Sequence, residues 1–209
     1  MKMKAKKFIC VLLIAMVVLT ILAGCGEKSG GAFVIELYPE YAPLTVENFV
    51  KLTDEGFFDG MTFHRIVDGF MAQGGGYDAD GEKIEADSIF GEFAINGFSQ
   101  NTLSHTNGVI SMARMDTTAW GDPTIGYNSA SSEFFIVYGD KNTFLDGMYA
   151  AFGKVVEGME IVEKLQEVER TWGFDGDISS PVNPVIIKKA TVTSRSGNPK
   201  IKMELEPLK

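Results

Sequence analysis

The 209-residue chain has an ordinary globular composition, with 45% hydrophobic and 22% charged residues. This composition excludes a disordered or collagen-like chain and a multi-pass membrane protein. The net charge of −9 argues against nucleic-acid binding, since phosphate contacts need a basic face. Two Cys and two His residues give little basis for a metal site or a disulfide framework, and we predict no metal.

The first 24 residues have the pattern of a secretory leader. Residues 1–7 carry four Lys, residues 8–22 are almost wholly apolar, and Leu-Ala-Gly-Cys follows. The apolar run is short for a membrane-spanning helix, which needs about 20 residues. The closing box resembles that of bacterial lipoprotein precursors, in which the Cys becomes lipidated. We therefore predict a lipoprotein signal peptide over residues 1–24, lipid on Cys25 and a flexible tether over residues 25–31.

An uncleaved N-terminal anchor helix is the alternative to this lipoprotein. Both alternatives hold the domain on the outer side of a membrane. The predicted location is therefore extracytoplasmic and attached to the bacterial cell membrane.

The first elements after the tether are a strand and a helix. Residues 32–38 are rich in β-branched and aromatic residues, which favours a strand. A helix is predicted from Pro43 to the residues before Gly56, because proline suits the first helical position and glycine stops a helix. Apolar residues recur at helical spacing between these two positions.

Short strands dominate the remainder of the chain. Residues 74–87 are rich in Gly and Asp and are predicted as a loop, and residues 159–168 as a second amphipathic helix. The further predicted strands are residues 61–66, 70–73, 108–114, 133–138, 149–156 and 184–193. Many short strands, two helices and no βαβ alternation predict a closed antiparallel barrel capped by two α-helices.

One motif gives the chain a family resemblance. FHRIVDGFMAQGG, residues 63–75, closely resembles the central motif of cyclophilin-type peptidyl-prolyl cis–trans isomerases. Further segments that resemble this family follow in the same order: APLTVENF (42–49), SIFGEF (88–93), LSHTNGVISMAR (103–114), SSEFFIV (131–137) and FLDGMYAAFGKVVEGMEIV (144–162). The resemblance covers residues 32–193 and implies a mainly β domain over residues 32–195, built as a closed eight-stranded antiparallel barrel.

The resemblance implies an isomerase that accelerates rotation about X-Pro bonds in proline-containing polypeptides, here exported or cell-envelope proteins. The barrier of ~18–20 kcal/mol comes from amide resonance, so no covalent step and no cofactor are needed to lower it. A catalyst must hold the proline ring in an apolar slot and fit the twisted amide best. The nitrogen of the twisted amide regains its lone pair and accepts hydrogen bonds. Arg65 is predicted as the catalytic group, because a guanidinium is a rigid and permanent donor.

The resemblance also implies the rest of the site. Gln73 is expected to brace Arg65 and a substrate carbonyl, and the backbone of Ala113 and Arg114 to pair with the substrate main chain. The proline slot is implied to be lined by Phe70, Met71, Phe135 and Leu145. His64 and His105 are predicted to be structural hydrogen-bonding residues.

Four substrate-binding positions depart from the usual family pattern. Phe144 stands where many members carry Trp, Tyr149 where many carry His, and Arg114 replaces Asn. Glu133 replaces Gln beside the expected site of Arg65, where a carboxylate would form an ion pair with the guanidinium. That pair leaves a second function open: a non-catalytic module or holdase that binds proline-containing segments, with Arg65 quenched by Glu133. A hydrolase is disfavoured, because no nucleophile, base and orienting group stand together in the sequence.

The C-terminal extension, residues 196–209, has a pattern of its own. Residues 201–206 alternate apolar and charged side chains, which is typical of a half-buried strand. Barrels of the resembled family begin with a β-hairpin, whereas here only the tether precedes the first strand. We therefore expect this segment to fill the vacant strand position, with a disordered charged tail as the alternative.

The expected partners are proline-containing polypeptides and, through lipid on Cys25, the membrane. We expect the protein to be a monomer.

Overall fold

The computed structural model describes residues 30–209, so the predicted leader, Cys25 and most of the tether lie outside the described residues. The helices are α1 (Pro43–Asp54) and α2 (Met159–Glu163), and a 3-10 turn, Lys164–Glu167, continues α2. None of the helices in this part of the chain is long and apolar enough to cross a membrane. The strands are β1 (Ala32–Leu37), β2 (Met61–Val67), β3 (Met71–Asp78), β4 (Val109–Met112), β5 (Phe134–Val137), β6 (Ala151–Glu157), β7 (Arg170–Trp172), β8 (Ile178–Pro181), β9 (Val185–Ser194) and β10 (Lys200–Leu205).

Eight of these strands close into an antiparallel barrel. The order around the barrel is β1-β10-β9-β2-β3-β5-β4-β6, and β6 pairs again with β1. β7 and β8 form a separate two-stranded hairpin. The predicted fold, a mainly β closed eight-stranded barrel with two α-helices, is confirmed.

The C-terminal strand β10 is part of the barrel wall and lies between β1 and β9. Ile201 and Met203 are fully buried and Leu205 is nearly so, whereas Lys202 and Glu204 between them are partly exposed. Period-2 alternation therefore places the apolar side chains in the core and the charged ones at the surface. These residues are a barrel strand rather than a charged tail.

Helix α1 covers the barrel core with its apolar face and depends on a buried carboxylate for its N-terminus. Val46, Phe49 and Leu52 are buried at helical spacing. Ala42 offers no capping side chain, and Glu92 instead accepts the backbone N–H groups of Leu44 and Thr45 at 3.0 and 2.8 Å. A distant carboxylate thus satisfies two N–H groups that the helix cannot pair internally.

Two segments differ from the sequence prediction. Residues 74–78, predicted as the start of a loop, extend strand β3 to Asp78. Glycine is required there by packing rather than by a turn, since a Cβ on Gly74 would lie 2.8 Å from the Thr62 carbonyl oxygen. The second difference is the β7–β8 hairpin, residues 170–181, which no pattern in the sequence predicted.

Candidate active site

A second apolar cluster lies outside the barrel core. Strand β5 supplies both clusters, because Phe134 and Ile136 point into the core while Phe135 and Val137 point outward. The outer cluster contains the buried residues Met71, Phe135, Val137 and Leu145, against which Val67, Phe70, Ala113 and Tyr149 pack partly exposed. The four side chains predicted to line a proline slot are therefore brought together on the outer face of the sheet.

Aromatic rings form the walls and rim of this slot. Tyr149 meets Phe135 edge-on, with ring centroids 5.7 Å apart and an interplanar angle of 86°. Phe144 stacks on Phe70 at 6.0 Å and remains 62% exposed. Phe144 is thus a rim residue with most of its ring accessible to a ligand.

Arg65 lies at the edge of the slot. It is paired in register with Gln73 across β2 and β3. Its Nη1 is 3.7 Å from the Met71 sulfur, and its guanidinium carbon is 6.0 Å from the centre of the Phe70 ring. The guanidinium therefore borders the apolar pocket that would receive a proline ring.

The carboxylate that pairs with Arg65 is Asp175, in the loop of the β7–β8 hairpin. Arg65 Nε donates to Asp175 Oδ2 at 2.6 Å, while the Ser179 hydroxyl donates to Oδ1 at 2.8 Å. Burial alone would raise the pKa of Asp175, but the hydrogen bonds from Arg65, Ser179 and the Asp177 N–H outweigh it and lower that pKa. Asp175 is therefore ionised at neutral pH and fixes the guanidinium through Nε. The sequence motifs did not identify this residue.

Glu133 does not pair with Arg65 as the sequence analysis expected. Its Oε2 accepts the Gln73 Nε2 amide at 2.7 Å and lies 3.6 Å from His64 Nε2. Its side chain fills space above Gly76, where any Cβ would overlap it. The predicted Glu133–Arg65 pair is wrong, and quenching of Arg65 by Glu133 is excluded with it. The Gln73 amide donates to Glu133 rather than bracing Arg65.

The two histidines differ in their surroundings, since His105 is fully buried and the side chain of His64 is 20% exposed. Burial, with the nearby charges of Arg65 and Lys83, lowers the pKa of His64 to about 4, so its ring is neutral at pH 7. His105 has Nδ1 2.8 Å from Asp146 and Nε2 3.0 Å from the Ser111 hydroxyl. Burial lowers the pKa of His105, although Asp146 opposes the shift.

The contacts of His105 resemble a hydrolytic triad only in their connectivity. Ser111 has no solvent exposure, so its hydroxyl is closed to any substrate. The His105 ring stacks on Phe135 at 6.1 Å with an angle of 16° between the planes. The network therefore supports the floor of the slot.

The side chain of Arg114 packs against the aromatic wall of the slot. Its guanidinium carbon lies 4.7 Å from the ring centre of Tyr149, 5.2 Å from that of Tyr127 and 5.3 Å from that of Phe93. This cation–π arrangement ties the loop after β4 to the slot wall. The neighbouring Ala113 N–H donates to the Glu133 carbonyl at 2.9 Å, so it is used within the sheet.

Comparisons with known proteins agree with this geometry. The model of the family described as cyclophilin type peptidyl-prolyl cis-trans isomerase/CLD matches residues 25–192. Peptidyl-prolyl cis-trans isomerase A of Dickeya dadantii is 37% identical over 172 residues, covering 80% of this chain and 82% of that protein. Peptidyl-prolyl cis-trans isomerase B of Bacillus subtilis is 36% identical over 143 residues, covering 66% of this chain and 85% of that protein.

Solved structures show the same fold. A cyclophilin from Hirschia baltica has a TM-score of 0.58 and 25% identity, covering 85% of this chain and 77% of that one. A cyclophilin-type isomerase from Cryptosporidium parvum, solved in the presence of the dipeptide Ala-Pro, has a TM-score of 0.60 and 24% identity. The match covers 81% of this chain and 98% of that one. Because the family model matches most of this chain and curated isomerases are more than 30% identical to it, the chain belongs to the cyclophilin-type peptidyl-prolyl cis–trans isomerases.

Proposed function

We propose that this isomerase lowers the X-Pro barrier by holding the proline ring in the slot of Phe70, Met71, Phe135 and Leu145 while Arg65 donates to the twisted amide nitrogen. The observation that carries this mechanism is the position of Arg65, fixed at the slot edge by a 2.6 Å bond to Asp175. The bond uses Nε only, so the Nη groups stay available as donors to a bound ligand.

The arrangement favours the twisted amide over both planar forms. A planar amide nitrogen has its lone pair in resonance with the carbonyl and is a poor acceptor, whereas the twisted nitrogen has regained that lone pair. A guanidinium that is already in place therefore interacts more strongly with the transition state than with the ground state. The apolar slot supplies ring binding, and no covalent intermediate is required.

The clients that we propose are exported or cell-envelope proteins. The support is the leader pattern of residues 1–24 and the Leu-Ala-Gly-Cys box, which favour export and lipid attachment at Cys25. X-Pro isomerisation takes tens to hundreds of seconds without a catalyst, which is slow enough to be the rate-limiting step in folding. Cys25→Ser is expected to move the protein out of the membrane fraction and to abolish labelling by a fatty-acid analogue. Continued lipid labelling of that variant would contradict the lipoprotein assignment.

The test of the mechanism is the rate of cis–trans exchange of a short X-Pro peptide in a protease-coupled assay. Arg65→Ala is expected to lose roughly 10²–10³ in kcat/KM, the usual cost of removing one preorganised donor. The matched control is Arg195→Ala, which removes an exposed arginine paired with Asp54 on the barrel surface. Arg65→Ala activity within a few-fold of the parent, with an unchanged melting temperature, would show that Arg65 is not the catalytic group.

A further inference from the structure

A cavity of about 490 Å³ opens beside Arg65 and Gln73, and the four proline slot residues do not line it. It lies between the β7–β8 hairpin and strands β2 and β3. Tyr77, Phe174 and Pro181 contribute to its walls, together with the side chains of Arg65, Gln73 and Glu133. The cavity thus borders Arg65, the residue proposed to act on the X-Pro bond.

Three carboxylates line this cavity, and two of them have strong donors of their own. Asp175 is paired with Arg65 at 2.6 Å. Asp78 accepts the backbone N–H groups of Asp80 and Glu82, both at 2.9 Å. Neither group therefore needs a ligand to satisfy it.

Glu133 differs from Asp78 in its position beside Gln73, the strand partner of Arg65. It differs from Asp175 because its contacts are electrically neutral. They are the Gln73 amide at 2.7 Å and the His64 ring at 3.6 Å, and that ring carries no charge at pH 7. Lys83 forms its ion pair with Glu85 and interacts with Glu133 only through its charge at longer range. The Glu133 side chain is 21% exposed, so water compensates its charge only in part.

The walls of the cavity suit a side chain with a long apolar stem. Tyr77, Phe174 and Pro181 line the cavity with aromatic and apolar groups, and Glu133 lines it with a carboxylate that has no cationic hydrogen-bond donor among the residues that the structure describes. Lys and Arg combine an apolar stem with a cationic head and bury the stem along such surfaces. Their head groups also interact favourably with aromatic faces.

We propose that this cavity binds a Lys or Arg side chain of the client polypeptide, from a residue that flanks the isomerised proline, with its cation on Glu133. This inference rests on the proposed function, because the client must already occupy the slot beside Arg65. Glu133 is then the specificity-determining residue, and its departure from the usual family Gln changes which clients are favoured. The expected preference is for basic flanking residues over neutral ones, with acidic flanking residues disfavoured.

The experiment uses two series of short X-Pro peptides, with Lys, Gln or Glu either before or after the proline. In one of the two series, kcat/KM for the Lys peptide is expected to exceed that for the Gln peptide by about tenfold, the effect of one charge-assisted contact. Glu133→Gln is expected to bring that ratio close to one. The matched control is Glu157→Gln at the exposed end of β6, a strand that pairs with β1 and β4 rather than with β2, β3 or β5; it removes the same charge and leaves the ratio at its parent value.

Binding is measured separately from turnover, by fluorescence anisotropy of the same labelled peptides at low and high salt. Preferential binding of the Lys peptide that is lost in Glu133→Gln, and weakened by salt, supports the subsite even if turnover is absent and the proposed mechanism fails. Equal binding of Lys and Gln peptides in both series overturns the subsite whatever the activity. A preference that survives in Glu133→Gln, or that Glu157→Gln also abolishes, overturns it as well.

Discussion

Replacing Asp175 with Ala tests whether this carboxylate positions Arg65 or competes with the substrate for it. The 2.6 Å bond is made through Nε and is braced by the Ser179 hydroxyl, which keeps the Arg65 side chain extended toward Met71. Loss of this bond leaves the guanidinium free to sample other rotamers. We therefore expect Asp175→Ala to lower kcat/KM rather than raise it.

The size of the effect follows from the exposure of the pair. A hydrogen bond between charged groups contributes about 1.5–3 kcal/mol, and exposed ion pairs contribute about 0–1 kcal/mol. The Arg65 and Asp175 side chains are 30% and 22% exposed, which places this pair between the two classes. About 1 kcal/mol of lost positioning corresponds to a decrease of roughly fivefold in kcat/KM.

The assay is peptide isomerisation by the two single variants and the double variant. If Asp175 acts through Arg65, Arg65→Ala/Asp175→Ala has the same activity as Arg65→Ala alone. Asp175→Asn keeps a side-chain acceptor and is expected to retain more activity than Asp175→Ala. Asp177→Ala, at an exposed position two residues along the same loop, is the control. An increase in kcat/KM on loss of Asp175 would refute positioning and identify the carboxylate as an inhibitory partner.

Three further outcomes are expected. Deleting residues 197–209 removes three buried side chains of β10, whose burial contributes about 1.5–3 kcal/mol each to the free energy of unfolding. The deletion is expected to abolish cooperative thermal unfolding, and a melting temperature within a degree or two of the parent would contradict this. The pKa of His64 is about 4 in the folded protein, below its ordinary value of 6.5. The unfolded state therefore binds more protons between these two pH values, and the free energy of unfolding decreases by at most about 3 kcal/mol as pH falls from 6.5 toward 4. A His64→Gln variant is expected to show a flatter dependence of melting temperature on pH, and an unchanged dependence would show that the ring is not buried in neutral form. Arg114→Ala removes three cation–π contacts and is expected to lower the melting temperature by several degrees in calorimetry, whereas an unchanged value would show that the ring contacts are not stabilising.

The parts of the molecule that the sequence predicted are those with a local pattern. Alternation in β10 distinguishes its buried side chains from its exposed ones, and Met71 and Phe135 fall on neighbouring strands within recognisable motifs. The predicted strand ends before Gly74 because glycine has low strand propensity. In the structure, β3 continues through Gly74, where close packing against β2 leaves no room for a side chain.

The electrostatics of the site was less predictable, because it depends on contacts between distant residues. Arg65 and Asp175 are 110 residues apart in the chain, and the hairpin that carries Asp175 has no apolar alternation to mark it. Glu133 was expected to pair with the nearest arginine in the family motif. The direction of the Glu133 side chain depends on the space above Gly76 and on the hydrogen bond from the Gln73 amide. Neither contact can be predicted from residue types alone.

The pairing of β1 with β10 sets the time at which the domain can fold. The first and last strands are neighbours, and the Leu205 N–H donates to the Gly31 carbonyl at 2.9 Å beside the start of the barrel. At a synthesis rate of about 5–20 residues per second, roughly 9–35 s separate the appearance of these two strands. Until β10 emerges, β1 and β9 each present an unpaired edge to neighbouring chains. The barrel therefore closes only after β10 has been made, and a chain cut short before β10 is an open sheet rather than a slightly shortened enzyme.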